Sequence, residues 1–408
     1  MEWKNKNILI TGVNGFVGSY LAKHLLDKKA NVYGLIRRRA DGVVSKNLLC
    51  RGIHNKVKLI EGDVTDISSL GLALDESQPN FVFHLAAQSF IPRSFSHPLE
   101  TTESNTRGTA NLLEAIRIKN QNPTIVFAGS GEEYGLVFSS DKQYKKAVSK
   151  YGTIFPEPTN IPELPIRESN PLRPMSPYAV SKIHCDYLMR NYYHSYGLKT
   201  IVSRGFNHEG AGRGTMFVTS VVTKQVMQLK LGEVNKITIG NVNAFRDWTY
   251  VMDVVKGYCL LAEKGKPGEV YNQGSMRTNS ILSYILLSLE NAGWQIKKIE
   301  SIKNNKVVEN PTEIDMSKFF GVEFEKTKVD ALMLKEKLNF SIEDKGIWVH
   351  TDQGKIPIEF DSKRFRPAEV PILLSDTEKI EKLGFKIEYK LKDIIKNQLN
   401  YFLEKDNR

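Results

Sequence analysis

The sequence predicts an α/β fold in which a doubly wound parallel sheet, covered by helices, is joined to a smaller α/β domain. Three observations carry that prediction. Apolar strand-like runs alternate with helical patterns through the first half of the chain, the signature of parallel strands linked by crossover helices. The first run passes directly into a glycine-rich turn and a helix. The 408 residues exceed what one ordinary core holds, so one large or two intimately joined domains are expected.

Taken in order, the strand candidates are Asn7 to Thr11, Asn31 to Ile36, Val57 to Ile60, Phe81 to Leu85, Thr124 to Ala128 and Thr200 to Ser203, with helical patterns such as Tyr20 to Leu26 and Gly108 to Ile116 between them. This is a Rossmann-like order. After the first strand comes Thr11-Gly12-Val13-Asn14-Gly15-Phe16-Val17-Gly18. The chain must turn sharply here and pass close to a bound pyrophosphate; glycine permits both, and the helix start offers free N–H groups to the anion. The second strand ends in Arg37, Arg38 and Arg39, where a carboxylate would bind the ribose hydroxyls of NAD. Guanidinium groups suit a 2′-phosphate instead, so the cofactor read from this turn is NADP; the bland alternative is a solvated basic turn.

The third strand leads to Gly62-Asp63-Val64, where Asp63 can accept from the adenine amino group or simply cap a helix. The fourth leads to Leu85-Ala86-Ala87-Gln88-Ser89, small residues that let backbone run beside the cofactor. The fifth runs into Gly129-Ser130-Gly131-Glu132-Glu133-Tyr134-Gly135, at the sheet end that faces the ligand crevice. Downstream, Ser176-Pro177-Tyr178-Ala179-Val180-Ser181-Lys182 reads as a helix start, with Ser176 as cap and Pro177 at the first turn. Tyr178 and Lys182 then share a face. A cation near a phenol favours the phenolate, so Tyr178 is the expected base, Lys182 its partner and a holder of the nicotinamide ribose, and Ser130 a proton-sharing hydroxyl. Glu132 suggests further proton chemistry beyond alcohol oxidation. Core packing, or solvated loop carboxylates, are the bland alternatives.

Composition narrows the class. The 41% hydrophobic and 25% charged residues are those of a globular protein. No apolar run reaches the ~18 residues of a membrane span, and the polar start at Met1 to Lys6 leaves no room for a signal peptide. Cys50, Cys185 and Cys259 are odd in number and widely spaced, as expected of reduced thiols in a cytoplasmic protein without a metal site. The net charge of +11 is spread along the chain, without an arginine-rich arm, so neither nucleic acid nor membrane is an expected partner. Two stretches look inserted: Phe138 to Arg173, and Lys303 to Asp361, the latter mostly polar and read as decoration of the second domain.

These residues resemble the extended short-chain dehydrogenases that modify nucleotide sugars, and among them most the GDP-mannose 4,6-dehydratases. The likeness rests on the glycine motif, Gly34-Leu35-Ile36-Arg37-Arg38, Ala86-Ala87-Gln88-Ser89 through Ser94-Phe95, and Arg173-Pro174-Met175-Ser176-Pro177-Tyr178-Ala179-Val180-Ser181-Lys182. It continues in Phe206-Asn207-His208-Glu209 with Arg213 and Phe217-Val218-Thr219, then in Glu343 to Ile347 and Phe365-Arg366-Pro367-Ala368-Glu369-Val370, so it spans nearly the whole chain. It implies a catalytic set of Ser130, Glu132, Tyr178 and Lys182. It implies cofactor contacts at Gly12, Asn14, Gly15, Phe16, Val17, Gly18, Arg37, Arg38, Asp63, Val64, Leu85, Ala86, Ala87, Ser89, His208 and Arg213, besides Tyr178 and Lys182. For the nucleotide sugar, GDP-mannose by the resemblance, it implies Ser89, Asn207, Arg246, Arg366 and Glu369. It also implies a homodimer or homotetramer, with an NADP-binding domain over residues 1–203 and about 240–275, and a substrate domain over about 204–239 and 276–408 that carries the inserted segment 303–361. Ser220 and Val221 stand where such enzymes have basic residues. The stretch Gly129 to Gly135 also looks like that of the GDP-4-keto-6-deoxymannose reductases, so a 4-ketoreductase, a 4-epimerase or a decarboxylase on the same scaffold stays open, as does a catalytically silent NADP-binding protein.

Overall fold

The computed structural model describes residues 2–38, 40, 42–43, 45–366 and 368–408; Arg39 and Pro367 of the motifs above lie outside the described residues. Seven parallel strands form the central sheet: β1 (Asn7–Thr11), β2 (Asn31–Ile36), β3 (Lys58–Glu61), β4 (Phe81–His84), β5 (Thr124–Ala128), β6 (Thr200–Gly205) and β7 (Val270–Gln273). Their spatial order is β7-β6-β5-β4-β1-β2-β3, all pairs parallel. The order reverses between β1 and β4, which opens a crevice at their carboxyl ends. The six strands expected from the sequence are present with ends shifted by a residue or two; β7, which follows the turn pair Pro267-Gly268, was not among the expected strands.

Both faces of the sheet are buried, which is why its strands read as nearly continuous apolar runs. Ile8 and Ile10 of β1 enter one core and Leu9 the other. Helices α1 (Phe16–Asp27) and α6 (Val251–Lys264) supply Leu21, Leu25, Val254 and Leu261 to the first. Helices α2 (Ile67–Ser77), α3 (Gly108–Ile118) and α4 (Pro177–Tyr196) cover the second through Leu70, Leu112, Cys185 and Met189. The expected cap of α4 forms: the Ser176 hydroxyl accepts from the Ala179 N–H at 3.1 Å.

The C-terminal part builds a second core around helices α5 (Val218–Lys230), α7 (Ile281–Asn291) and α8 (Leu391–Tyr401) and a five-stranded sheet. Segment 303–361 is not mere decoration there. Its strands Val307–Glu309, Gly346–Thr351 and Gly354–Phe360 lie in that sheet, with Ile347, Val349 and Ile358 fully buried. The segment reads as polar because alternate residues of its antiparallel strands face solvent. Segment 138–173 holds a helix, Asp141–Tyr151, over a small core of Leu136, Phe138, Ala147 and Ile154. A bidentate ion pair closes it: Arg173 Nη1 and Nη2 lie 2.8 and 2.7 Å from the Glu163 carboxylate, both side chains 4% exposed. Among the described residues no helix is long and apolar enough to cross a membrane, and no cluster could hold a metal ion. The cysteines are free.

Candidate active site

At the carboxyl end of the central sheet lies one cavity of about 1390 Å³. The glycine turn forms its floor. Gly12 has φ +75°, and a Cβ there would lie 2.9 Å from the Ala86 nitrogen; a Cβ on Gly18 would lie 2.3 Å from the Gly12 carbonyl oxygen. Only glycine lets the turn, α1 and the Leu85-Ala86 segment approach this closely. Helix α1 starts at Gly15 with no side-chain cap, so its first N–H groups face the cavity. The Ser45 hydroxyl and the Asn47 amide both donate to the Asn14 carbonyl, at 3.0 and 3.3 Å, and hold the turn from outside.

Next to the turn, His84 joins β1 to α3. Its Nδ1 and Nε2 lie 2.7 Å from Thr11 Oγ1 and 3.0 Å from Thr109 Oγ1. Burial, with Lys182 nearby, lowers its pKa to about 3, so it is neutral. Asn105, in a π-helical turn before α3, ties the Leu85 to Ser89 segment to α4. Its Oδ1 accepts from the Gln88 N–H at 2.8 Å, and its Nδ2 donates to Ser181 Oγ at 2.9 Å. Neither His84 nor Asn105 stood out in the sequence, because each acts through partners more than 15 positions away.

The four residues expected to act together line the same cavity: Ser130, Glu132, Tyr178 and Lys182. Ser130 caps a single turn after β5, its Oγ accepting from the Glu132 N–H at 3.2 Å. The Tyr178 phenol is buried, and burial pushes its pKa well above the ordinary range; the hydrogen bond with Ser130 and the charge of Arg213 pull it back, while Glu132 and Glu133 push it further. Lys182 does not touch the phenol as the shared face suggested. Its Nζ donates to the Ala128 carbonyl at 2.7 Å and sits 6.0 Å from the Tyr178 ring centre, and burial lowers its own pKa. Glu132 is 9% exposed. Its carboxylate makes no hydrogen bond or ion pair with any described residue, and the side chain lines the cavity.

The remaining expected residues divide. Gly12, Asn14, Gly15, Phe16, Val17, Gly18, Arg37, Asp63, Val64, Leu85, Ala86, Ala87, Ser89, Asn207, His208, Arg213, Arg246, Arg366 and Glu369 line the cavity; Arg38 is exposed and does not. Asp63 holds its own loop, accepting from the Thr65 N–H and hydroxyl at 2.9 and 2.8 Å, and the cap of α2 is Asp66 instead. His208 is also kept neutral, its pKa lowered to about 3 by burial and Arg213; its Nδ1 and the Asn207 Oδ1 are buried without hydrogen-bond partners among the described residues. Arg213 stacks 3.7 Å from the Phe217 ring centre and 5.5 Å from that of Phe16.

At the other end of the cavity Arg246 Nη2 lies 2.7 Å from Glu369 Oε1, and Arg366 Nη1 lies 3.5 Å from the same oxygen. Arg246 also donates to the Phe245 and Val370 carbonyls at 2.9 and 2.8 Å. Arg246 is therefore held in an ion pair inside the cavity wall, with two arginines on one carboxylate. Lys363 and Arg364 stand beside them, and Glu209 and Tyr258 complete the wall. The basic run Lys363-Arg364 next to Arg366 is visible in the sequence; Tyr258, mid-helix, is not.

Cavity, glycine turn and paired groups can bind a dinucleotide and move protons at an adjacent alcohol. Comparison with known proteins agrees. Residues 8–274 match the model of the NAD dependent epimerase/dehydratase family. The chain is 30% identical over 387 residues to a GDP-mannose 4,6-dehydratase of Yersinia enterocolitica, covering 93% of this chain and 89% of that one. It is 29% identical over 350 residues to the human GDP-mannose 4,6 dehydratase, covering 83% and 87%. Two solved structures share the fold: RMD from Pseudomonas aeruginosa complexed with NADPH, at TM-score 0.64 and 22% identity over 97% and 99% of the chains, and a UDP-glucose 4-epimerase from Bifidobacterium longum with NAD+ and UDP, at TM-score 0.68 and 21% identity over 98% and 99%. The chain belongs to the NAD dependent epimerase/dehydratase family and is an enzyme of the extended short-chain dehydrogenase class.

Proposed function

We propose that the protein is a nucleotide-sugar 4,6-dehydratase that takes GDP-mannose and retains NADP through the cycle. The observation that carries this is Glu132: a carboxylate inside the cavity wall, without a partner among the described residues, beside Ser130 and Tyr178. Alcohol oxidation alone has no use for it. Removing a proton from carbon next to a ketone does.

The glycine turn, the uncapped start of α1, Arg37 and the unpartnered His208 and Asn207 atoms fit a phosphorylated dinucleotide. When bound, NADP supplies hydride acceptance and return. Tyr178 takes the 4-hydroxyl proton, with Ser130 sharing the hydrogen bond and Lys182 holding the ribose side of the site. Glu132 takes the C5 proton, now acidified by the C4 ketone, and delivers it to the departing 6-oxygen; as hydride returns to C6, the proton held on Tyr178 passes to C5 and resets the phenol. The products are water and a 4-keto-6-deoxy sugar, and no cofactor is consumed. Arg246 and Arg366 carry the diphosphate charge, displacing Glu369 toward the nucleoside. Sugar and nucleotide thus lie between the sheet and the segment 363–369, the division of labour expected of the two domains. The exposed apolar residues Leu99, Val180 and Tyr187, at 79%, 54% and 56%, support a homodimer or homotetramer.

The test is mass spectrometry of GDP-mannose incubated with the protein and no added NADPH. Loss of one water without net oxidation is expected. Turnover only of a 4-keto sugar, with stoichiometric NADPH consumption, would replace this reading with a ketoreductase.

A further inference from the structure

Glu133, beside the residues of the catalytic set, has no part in the chemistry above, yet it is built into a buried cluster of charged side chains. Its side chain is fully buried. Its Oε1 accepts from the Ser130 N–H at 2.7 Å. Its Oε2 lies 3.2 Å from Arg204 Nε, and the same Nε donates to Asp186 Oδ2 at 2.8 Å. Arg204 is 3% exposed and Asp186 fully buried. Arg190 pairs with Asp186 Oδ1 at 2.7 Å, and Arg204 Nη1 donates to the Tyr134 hydroxyl at 3.1 Å.

These contacts join three elements. Ser130 and Glu133 sit on the turn after β5, Arg204 on β6, and Asp186 on α4 one turn beyond Lys182 and two beyond Tyr178. An apolar residue would fill the position of Glu133 without burying two carboxylates around one interior guanidinium. Such an arrangement is no aid to stability in itself, because the desolvation cost of each ion offsets its pairing. Its effect falls instead on the groups it holds.

We propose that Glu133 is a positioning residue for the reaction: its carboxylate fixes Ser130 against Tyr178 and, through Arg204 and Asp186, locks that turn to the helix carrying Tyr178 and Lys182. The assignment rests on the catalytic reading of Ser130, Tyr178 and Lys182. A second consequence follows from charge. The groups facing Tyr178 are Ser130, Glu132, Glu133, Lys182, Arg213 and Tyr258; Glu133 opposes ionisation of the phenol. The groups facing Glu133 are Arg204, Asp186, Tyr134, Tyr178, Lys182 and Cys185. Burial and Asp186 hold its own pKa up against Arg204.

The experiment compares wild type, Glu133→Gln and Glu133→Leu, each loaded with NADP. Ionisation of Tyr178 is read without substrate, as tyrosinate ultraviolet absorbance minus that of the matching Tyr178→Phe protein, across the pH range in which the fold holds. Glutamine keeps the acceptor for Ser130 and removes the charge, so the Tyr178 curve is expected about half a pH unit or more lower, the effect of one nearby charge at the effective dielectric of a protein. Leucine removes both. It is expected to lower kcat by about 10²-fold, the size of a small misplacement at a reacting centre, with KM little changed and activity largely rescued by glutamine. Identical Tyr178 curves in wild type and Glu133→Gln overturn the proposal, as does a leucine variant with wild-type kcat. If the leucine protein does not fold, the glutamine comparison alone decides. Wild type that turns over no nucleotide sugar refutes the catalytic reading instead, a result separate from the absorbance curves.

Discussion

Replacing Glu132 by glutamine separates chemistry from folding in a single atom. The side chain is 9% exposed, and its carboxylate makes no hydrogen bond or ion pair with a described residue, so the amide, equal in volume, breaks no contact. Stability is expected to stay within about 0.5 kcal/mol of wild type, as for substitutions that touch no packed or paired group. The Ser130 contact is through the Glu132 backbone N–H at 3.2 Å and survives. What is lost is the proton acceptor for C5 and the donor for the departing oxygen. A positioned acid–base group contributes about 10²–10⁴-fold, or about 3–5 kcal/mol of barrier. Formation of the dehydrated sugar, followed by mass spectrometry, is expected to fall by that factor, and solvent deuterium is no longer incorporated at the carbon. Oxidation at C4, for which Tyr178 is the base and bound NADP the oxidant, continues, so the ketone accumulates to at most one equivalent of enzyme. A Glu132→Gln protein that dehydrates GDP-mannose within about tenfold of wild type would refute the assignment of Glu132.

Four further outcomes are expected. Arg173→Met leaves Glu163 buried without its bidentate partner and should cost about 3–5 kcal/mol in urea unfolding, while Glu163→Leu combined with Arg173→Met recovers most of it; a single-variant loss under about 1 kcal/mol contradicts the structure. Gly18→Ala places a Cβ 2.3 Å from the Gly12 oxygen, so the turn must open and NADP affinity, measured by fluorescence titration, should fall by at least about tenfold, roughly 1.4 kcal/mol. Arg37→Ala should weaken NADP while sparing NAD, since only the former carries a 2′-phosphate; equal losses would remove Arg37 from cofactor choice. His84 is held neutral, its folded pKa about 3 against an ordinary 6.5. A depressed folded pKa gives stability that is complete above the unfolded value and is lost as pH falls toward the folded one. Between pH ~6.5 and ~4 wild type should therefore lose about 1.4 kcal/mol per pH unit more than His84→Gln; parallel stability curves would show that His84 titrates in the folded protein.

Much of this site was legible because its first layer is local. A glycine turn after a strand, a serine–proline helix start and a phenol four residues from a lysine each follow from the conformational limits of a few consecutive residues. The six strands were legible for a related reason: parallel strands buried on both faces leave uninterrupted apolar runs. Segment 303–361 read as decoration because antiparallel strands with one wet face carry as many polar as apolar residues, while Ile347, Val349 and Ile358 of Gly346–Thr351 and Gly354–Phe360 form core.

Sequence alone determined the fold class, the dinucleotide turn and which side chains could do chemistry. Tertiary structure alone decided their partners: Lys182 to the Ala128 carbonyl, Glu369 shared by two arginines, and Glu133 tied to Arg204 and Asp186. The physical reason is range. Steric limits on a turn or a helix start act within a few residues of chain, whereas burial and charge act through space, and only the packing of β5, β6 and α4 sets which carboxylate stands free in the cavity and which is locked behind it.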